Sequence, residues 1–328
     1  MEKILCYSLF LFQIHFLSHS SRANNNNNNY NKNKVPAIIV FGDSSVDSGN
    51  NNFIPTIAMS NFEPYGRDFP DGNSTGRFSN GKIAPDFISG AFGLRPIVPA
   101  YLDPSYNFAN GVCFASVGTG FDNATSNVVD VIPLWKEIEY YKEYQRKLRA
   151  HLGEEKANEI FKEALYLVSI GTNDFLENYY TLPQRRCQFS EEIYHLGARK
   201  ISLIGLPPMG CLPLERAINI MEFHSCVEEY NNVVLEFNGP SWLQLVDANA
   251  YDILLQIITQ PTRFGFEVAQ VGCCGTGRFE MSYLCDPKSP FTCSDANKYV
   301  FWDAFHPSEK TSQIVSNYLI EKYLAKFR

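Results

Sequence analysis

The sequence predicts an α/β domain with a mostly parallel sheet held between helices. Three apolar runs with one shared grammar point to it: PAIIVFG before Asp43, ALYLVSIG before Thr172-Asn173-Asp174, and RKISLIGLPP before Met209. Each run is apolar at successive positions, so it is covered on both faces, as strands of parallel sheets are. The stretches between the runs carry helical periodicity, and alternating strand and helix defines the α/β class. Ligands of such sheets bind beyond the carboxyl ends of the strands, which is where Ser44 and Asn173 fall, in loops.

Taken in order, residues 1–23 read as a secretory signal peptide. Lys3 precedes ILCYSLFLFQIHFL, and a polar segment follows with small residues at Ser21 and Ala23. The apolar stretch is shorter than the roughly 20 residues of a membrane span, and no later segment is suited to crossing a bilayer. Residues 24–34, with NNNNNNYNKNK, form a low-complexity leader with nothing to bury. A single domain then runs from 35 to 328, without internal repeat or second boundary.

Within that domain the first strand ends at Gly42 and delivers Asp43, Ser44 and Ser45 to the sheet's rim. The segment 135–153 places Ile138, Tyr141 and Leu148 near one helical face, and ANEIFKEA continues the pattern to the second strand. CVEEYNNVVLEFN, with Val227, Tyr230, Val234 and Phe237, is a further amphipathic helix after the third strand, and VSNYLIEKYLAKF closes the chain with another.

Composition excludes several classes. Of 328 residues 45% are hydrophobic and 19% charged, which supplies one large core, and the net charge of −7 without a basic run excludes nucleic acid as partner. With Cys6 in the signal peptide, eight cysteines remain: Cys113, Cys187, Cys211, Cys226, Cys273, Cys274, Cys285 and Cys293. An even number in an oxidising compartment reads as disulfides, with the pairing open. The cluster at 273–293 lacks the two CxxC halves of a zinc knuckle, so no metal is expected. Asn73-Ser74-Thr75 and Asn123-Ala124-Thr125 fit the glycan acceptor pattern. No P-loop or dinucleotide glycine pattern follows a strand, and no cofactor is expected.

A serine at a strand-end rim becomes a nucleophile only with a base and a group that orients the base. Of the four histidines after the signal peptide, His151 sits in a charged helix end, and His195 and His224 lack a nearby Asp in a loop. His306 lies in YVFWDAFHPSEK, three residues after Asp303, so one turn brings carboxylate and imidazole together. Phe301, Trp302 and Phe305 would wall the pair from water, which strengthens it. Ser44 lacks the G-x-S-x-G elbow of the α/β-hydrolases, which points to a different fold.

These residues carry a resemblance. Phe41-Gly42-Asp43-Ser44-Ser45, Gly118 within NFANGVCFASVGTG, Gly171-Thr172-Asn173-Asp174 and Asp303-Ala304-Phe305-His306-Pro307 resemble, in order, the four blocks of the GDSL esterase/lipase family, or SGNH hydrolases. GLPPMGCLPLER, CVEEYNN, VGCCGTG and CDPKSPFTC resemble its large secreted plant branch. The resemblance runs from about Val35 to the end. It implies a three-layer α/β/α flavodoxin-like domain with Ser44 as nucleophile, His306 as general base and then acid, and Asp303 orienting His306. It also implies an oxyanion hole of the Ser44 and Gly118 N–H groups with the Asn173 amide, Gly111 or Gly120 being alternatives to Gly118. The implied activity is hydrolysis of small or polymeric carboxylic esters (lipid acyl, cutin-type or acetyl) outside the cell or in the wall. The alternatives are an acyltransferase of the same chemistry and a weakly active or non-catalytic family member.

Two contractions motivate the last alternative. Fewer residues than the family carries separate Asn173 from Lys200, and a crossover helix is expected to be missing. About eight residues, SEEIYHLG, remain for it. A smaller contraction falls at about 238–250. Apolar sheet surface around Leu165 to Ile170 and Ile201 to Ile204 is therefore expected to lie bare, with low stability.

Overall fold

A computed structural model describes residues 35–105, 108, 110–178, 194–239 and 246–328. The expected signal peptide and leader, Cys187, and the greater part of the contraction after Asn173 lie outside these residues, as do 240–245 in the smaller one.

Five parallel strands form the central sheet in the order β2-β1-β3-β4-β5. They are β1 (Ile38–Gly42), β2 (Gly111–Cys113), β3 (Leu165–Ser169), β4 (Lys200–Ile204) and β5 (Val246–Ala248). A separate parallel pair joins β6 (Val268–Gly272) to β7 (Tyr299–Phe301). The described α-helices are α1 (Ala84–Ala91), α2 (Asn123–Asn127), α3 (Leu134–Leu152), α4 (Glu154–Glu163), α5 (Thr172–Asn178), α6 (Pro213–Ile218), α7 (Glu228–Phe237), α8 (Tyr251–Thr259) and α9 (Glu309–Leu319), with short 3₁₀ turns elsewhere and a π-helical turn after α9. The predicted α/β/α layering holds. All three apolar runs are strands, and the predicted helices at 135–153, 157–164 and 226–238 correspond to α3, α4 and α7.

Alternation along each strand sends side chains to opposite layers. Ile39, Phe41, Tyr166, Val168, Ile201 and Leu203 pack with Tyr141, Tyr144 and Leu148 of α3 and Phe161 of α4. Ile38, Val40, Leu165 and Leu167 pack on the other face with Ile88 and Phe92 at α1 and with Ile320 and Leu324 beyond α9.

The expectation of a bare sheet is therefore overturned. Leu165, Tyr166 and Leu167 are fully buried, and Val168, Ile170, Ile201 and Leu203 are nearly so. The reason is reach: α3 has 19 residues, about 28 Å at 1.5 Å per residue, against about 17 Å for a five-residue strand. Tyr141 and Tyr166 also share a 2.8 Å hydrogen bond across that interface, so their buried hydroxyls are satisfied.

The cysteine expectation is corrected in part. Disulfides join Cys211 to Cys226, Cys273 to Cys293, and Cys274 to Cys285. Cys113, by contrast, is a buried free thiol in the last position of β2, where its Sγ donates to the Val46 carbonyl. A strand interior takes cysteine as a small hydrophobe, so the even count was not a pairing rule.

Candidate active site

The first strand ends where it does because of Gly42. Its φ is +141°, and a Cβ there would collide with the carbonyl oxygen of Ser169 in β3, so only glycine lets the chain turn there. The Asp43 N–H donates to that carbonyl at 3.0 Å, and the Asp43 carbonyl accepts from the N–H groups of Val46 and Asp47. Asp43 Oδ1 accepts from both the N–H and the hydroxyl of Ser45, at 3.0 and 2.7 Å. This tight turn carries Ser44, which is buried except for 6% of its surface.

The asparagines that follow are structural. Asn50 Nδ2 donates to the carbonyls of Cys113, at the end of β2, and Ala115 just beyond it, and Asn51 Nδ2 to that of Ala58, so these side chains bind backbone carbonyls and hold the loop after Ser44 against its neighbours.

Asp303 and His306 come together within a single turn between β7 and α9. His306 Nδ1 lies 2.9 Å from Asp303 Oδ1 and 2.8 Å from Oδ2, and both groups are buried. Oδ1 also accepts from the N–H groups of Phe305 and His306, at 2.9 and 2.7 Å. A carboxylate so engaged fixes the ring, and with Nδ1 committed, Nε2 is the nitrogen left for chemistry. Nε2 is buried and has no hydrogen-bond partner among the described residues.

Ser44, His306 and Thr172 line one cavity of about 110 Å³. The remaining expected residues stand differently. Asn173 is not in a loop: it lies in the first turn of α5, and its Nδ2 donates to the Thr119 carbonyl at 2.9 Å. Thr119 directly follows Gly118, whose φ of +81° again requires glycine. Asp174 draws the same two segments together, accepting from the N–H groups of Phe121 and Asp122 and from the Thr125 hydroxyl. Gly118 and Asn173 are thus tied to each other but are not among the described residues lining the cavity. Gly111 is discounted, because it pairs with Ile38 at the opposite end of β1 from Ser44. None of His151, His195 and His224 lines the cavity. Asn73 and Asn123 are both exposed.

Several participants escaped the sequence reading. Tyr65 donates to Asp303 Oδ2 at 2.8 Å, and the ring of Phe78 lies 4.8 Å from that of His306. Both sit in PYGRDFPDGNSTGRF, whose prolines, glycines and polar residues hide any period. Glu137 is fully buried under the turn and accepts from the Gly42 N–H at 3.0 Å. Burial pushes Asp43 and Asp47 up to about 6, and Glu137 well above the usual carboxylate range. Only Glu137's position on the inner face of α3 could have signalled it.

A buried serine, an Asp-bound histidine on the same cavity, and a strand-end location in an α/β/α domain are the arrangement that serine-dependent hydrolases use. A family model described as GDSL-like lipase/acylhydrolase matches residues 38–319. The chain is 57% identical over 319 residues to the Arabidopsis thaliana GDSL esterase/lipase At2g42990, covering 88% of this chain and 91% of that protein. It is 58% identical to At4g26790 (90% and 93% covered) and 55% identical to At2g04570 (90% and 93%), both GDSL esterase/lipases of the same plant. The chain belongs to the GDSL lipase/acylhydrolase family and is a carboxylic ester hydrolase.

Proposed function

We propose that the protein hydrolyses carboxylic esters through an acyl-enzyme on Ser44. His306 Nε2 takes the proton of Ser44 Oγ as the oxygen attacks the ester carbonyl. The developing oxyanion is held by the N–H groups of Ser44 and Gly118 and by Asn173, whose Nδ2 keeps a second hydrogen after bonding Thr119. Collapse of the tetrahedral intermediate breaks the ester C–O bond, and His306 returns the proton to the departing alcohol. Water then attacks the acyl-enzyme, with His306 again as base, and the acid leaves with Ser44 regenerated. Asp303 holds the ring and offsets the charge that His306 gains in each half.

The observation that carries this reading is the shared cavity, into which both Ser44 and an Asp303-bound His306 open. Hydrolysis of p-nitrophenyl esters by wild type, Ser44→Ala and His306→Ala tests it. Full activity in either variant would refute the role of the residue replaced. Product analysis with an added alcohol distinguishes hydrolysis from acyl transfer, since a transferase forms the new ester in preference to the free acid.

We further infer a secreted glycoprotein of one domain, with cleavage after Ala23. Three disulfides and exposed acceptor residues at Asn73 and Asn123 support it, and no described helix is long and apolar enough to cross a membrane. Mass spectrometry of the secreted chain reads both the new N-terminus and the glycans. Retention of residues 1–23 would contradict it.

A further inference from the structure

Residues 211–226 are closed into a ring by the Cys211–Cys226 disulfide and carry an apolar loop into solvent. Ile218 and Ile220 are 57 and 69% exposed, Met221 and Phe223 88 and 93%. The backbone holds them out. Phe223 and His224 both take left-handed φ, +51° and +61°, which bulky residues rarely adopt. The His224 N–H donates to the Asn219 carbonyl at 3.0 Å, His224 Nδ1 to the Arg216 carbonyl at 2.9 Å, and Asn219 Nδ2 to the Ser225 carbonyl at 3.2 Å. Asn219 and His224 are thus half-buried and bonded while their apolar neighbours face water, the reverse of an ordinary surface loop.

This loop is joined to the catalytic turn. It follows α6, whose six residues span about 9 Å and start beside Leu212 on the wall of the Ser44 cavity. The Leu214 N–H donates to the Ala304 carbonyl at 3.0 Å, and the Ala304 N–H donates to the Glu280 carbonyl at 2.9 Å. On that second side Phe279 and Leu284 are each 48% exposed. Segments bearing exposed apolar side chains therefore bond, from two directions, the residue that follows Asp303.

We propose that the loop at 218–224 docks the enzyme on a lipid surface of no net charge, with Ile220, Met221 and Phe223 entering its apolar layer beside the Ser44 cavity. The choice of lipid rests on Ser44 being the nucleophile of an ester hydrolase, since the surface then supplies substrate to that cavity. Two observations select this occupant. Four apolar side chains on one loop fall far short of the roughly 20–30 residues a side of a stable protein interface, whereas a lipid surface needs no matched shape. The chain carries a net charge of −7, and Glu222 is the one formal charge between Ala217 and Phe223, so anionic headgroups are repelled.

The test is co-sedimentation of the full secreted chain with phosphatidylcholine vesicles, for wild type and the double variant Met221→Gln/Phe223→Gly, in which glycine accepts the left-handed φ. The partition coefficient of the variant should fall at least about tenfold. Its hydrolysis of dissolved p-nitrophenyl acetate and its melting temperature should not change. Wild type that stays in the supernatant, or a folded variant that binds as wild type does, overturns the proposal. Tighter binding to phosphatidylglycerol vesicles overturns the choice of an uncharged surface. A wild-type dimer that the variant abolishes, without vesicle binding, assigns the loop to a second copy of the chain and overturns it too. Should the double variant not melt cooperatively, Phe223→Trp decides: its added emission shifts to the blue with vesicles if the loop inserts, and an unshifted emission overturns the proposal. Failure of the underlying reading looks different, because Ser44→Ala would then retain ester hydrolysis whatever the vesicles show.

Discussion

The Tyr65 hydroxyl donates to Asp303 Oδ2 at 2.8 Å, the same oxygen that lies 2.8 Å from His306 Nδ1. Tyr65 in turn accepts from the Ser282 N–H at 2.8 Å, so its oxygen is held from both sides. Burial and the Asp303 charge push the phenol well above its ordinary range and keep it a donor.

Tyr65→Phe removes that donor with little change in volume. A hydrogen bond to a charged group contributes about 1.5–3 kcal/mol, only part of which bears on the position of His306. We expect kcat to fall roughly tenfold while KM and the melting temperature change little. Steady-state kinetics with thermal melts checks this, and a variant with wild-type kcat would remove Tyr65 from the positioning of the pair.

The acids beneath the Ser44 turn make stability depend on pH. Asp43 and Asp47 rise to about 6 by burial, whereas in the unfolded chain they titrate near their ordinary ~3.9. Between these values the folded chain binds more protons than the unfolded one. The stability tied to the two neutral acids is therefore full below about pH 4 and is lost as pH rises through about 6. Asp47→Asn keeps an oxygen for the N–H groups of Gly49 and Asn50 and cannot ionise. It should reduce the loss of stability between pH 4 and 7.5 by roughly 3 kcal/mol, as read from denaturant midpoints at several pH values. An equal pH slope in variant and wild type would contradict it.

Glu137 is the strongest case of the same effect, lying against Asp43 and Asp47 with burial as the main cause. Held neutral, it resembles an amide, and Glu137→Gln preserves the acceptor for the Gly42 N–H. Melting and ester hydrolysis should stay near wild type in Glu137→Gln. Glu137→Ala, which leaves that buried N–H unpaired, should lose about 1–3 kcal/mol. Comparable damage in both variants would mean that Glu137 is ionised.

Arg77 makes a two-pronged pair with Asp86, at 2.8 and 2.9 Å, and also donates to the carbonyls of Ser48 and Val98. Both partners are buried. Arg77→Ala leaves an uncompensated carboxylate in the core, and a loss of about 3–5 kcal/mol is expected in urea melts. A change below about 1 kcal/mol would mean that water reaches the vacated site.

The parts of this molecule legible in sequence are those whose signal is local. β1, β3 and β4 are continuous apolar runs, and Asp303 and His306 are one turn apart. β2, β5 and β7 have three residues each, too few for any period to show. Asn173 reads as a turn because threonine, asparagine and aspartate suit turns and helix starts alike. Tyr65 acts on a residue 238 positions away, which no local pattern encodes. The distance between motifs misled for a related reason: the expected short connection after Asn173 suggested a bare sheet, whereas α3 and α4, from before β3, cover it.

The central claim, that Ser44 is the nucleophile, is tested most directly by reacting the secreted, oxidised protein with a fluorophosphonate and locating the adduct by peptide mass spectrometry. A single adduct on Ser44, absent from Ser44→Ala, is the predicted result. An adduct on Ser45 or any other serine, or undiminished labelling of Ser44→Ala, would contradict it.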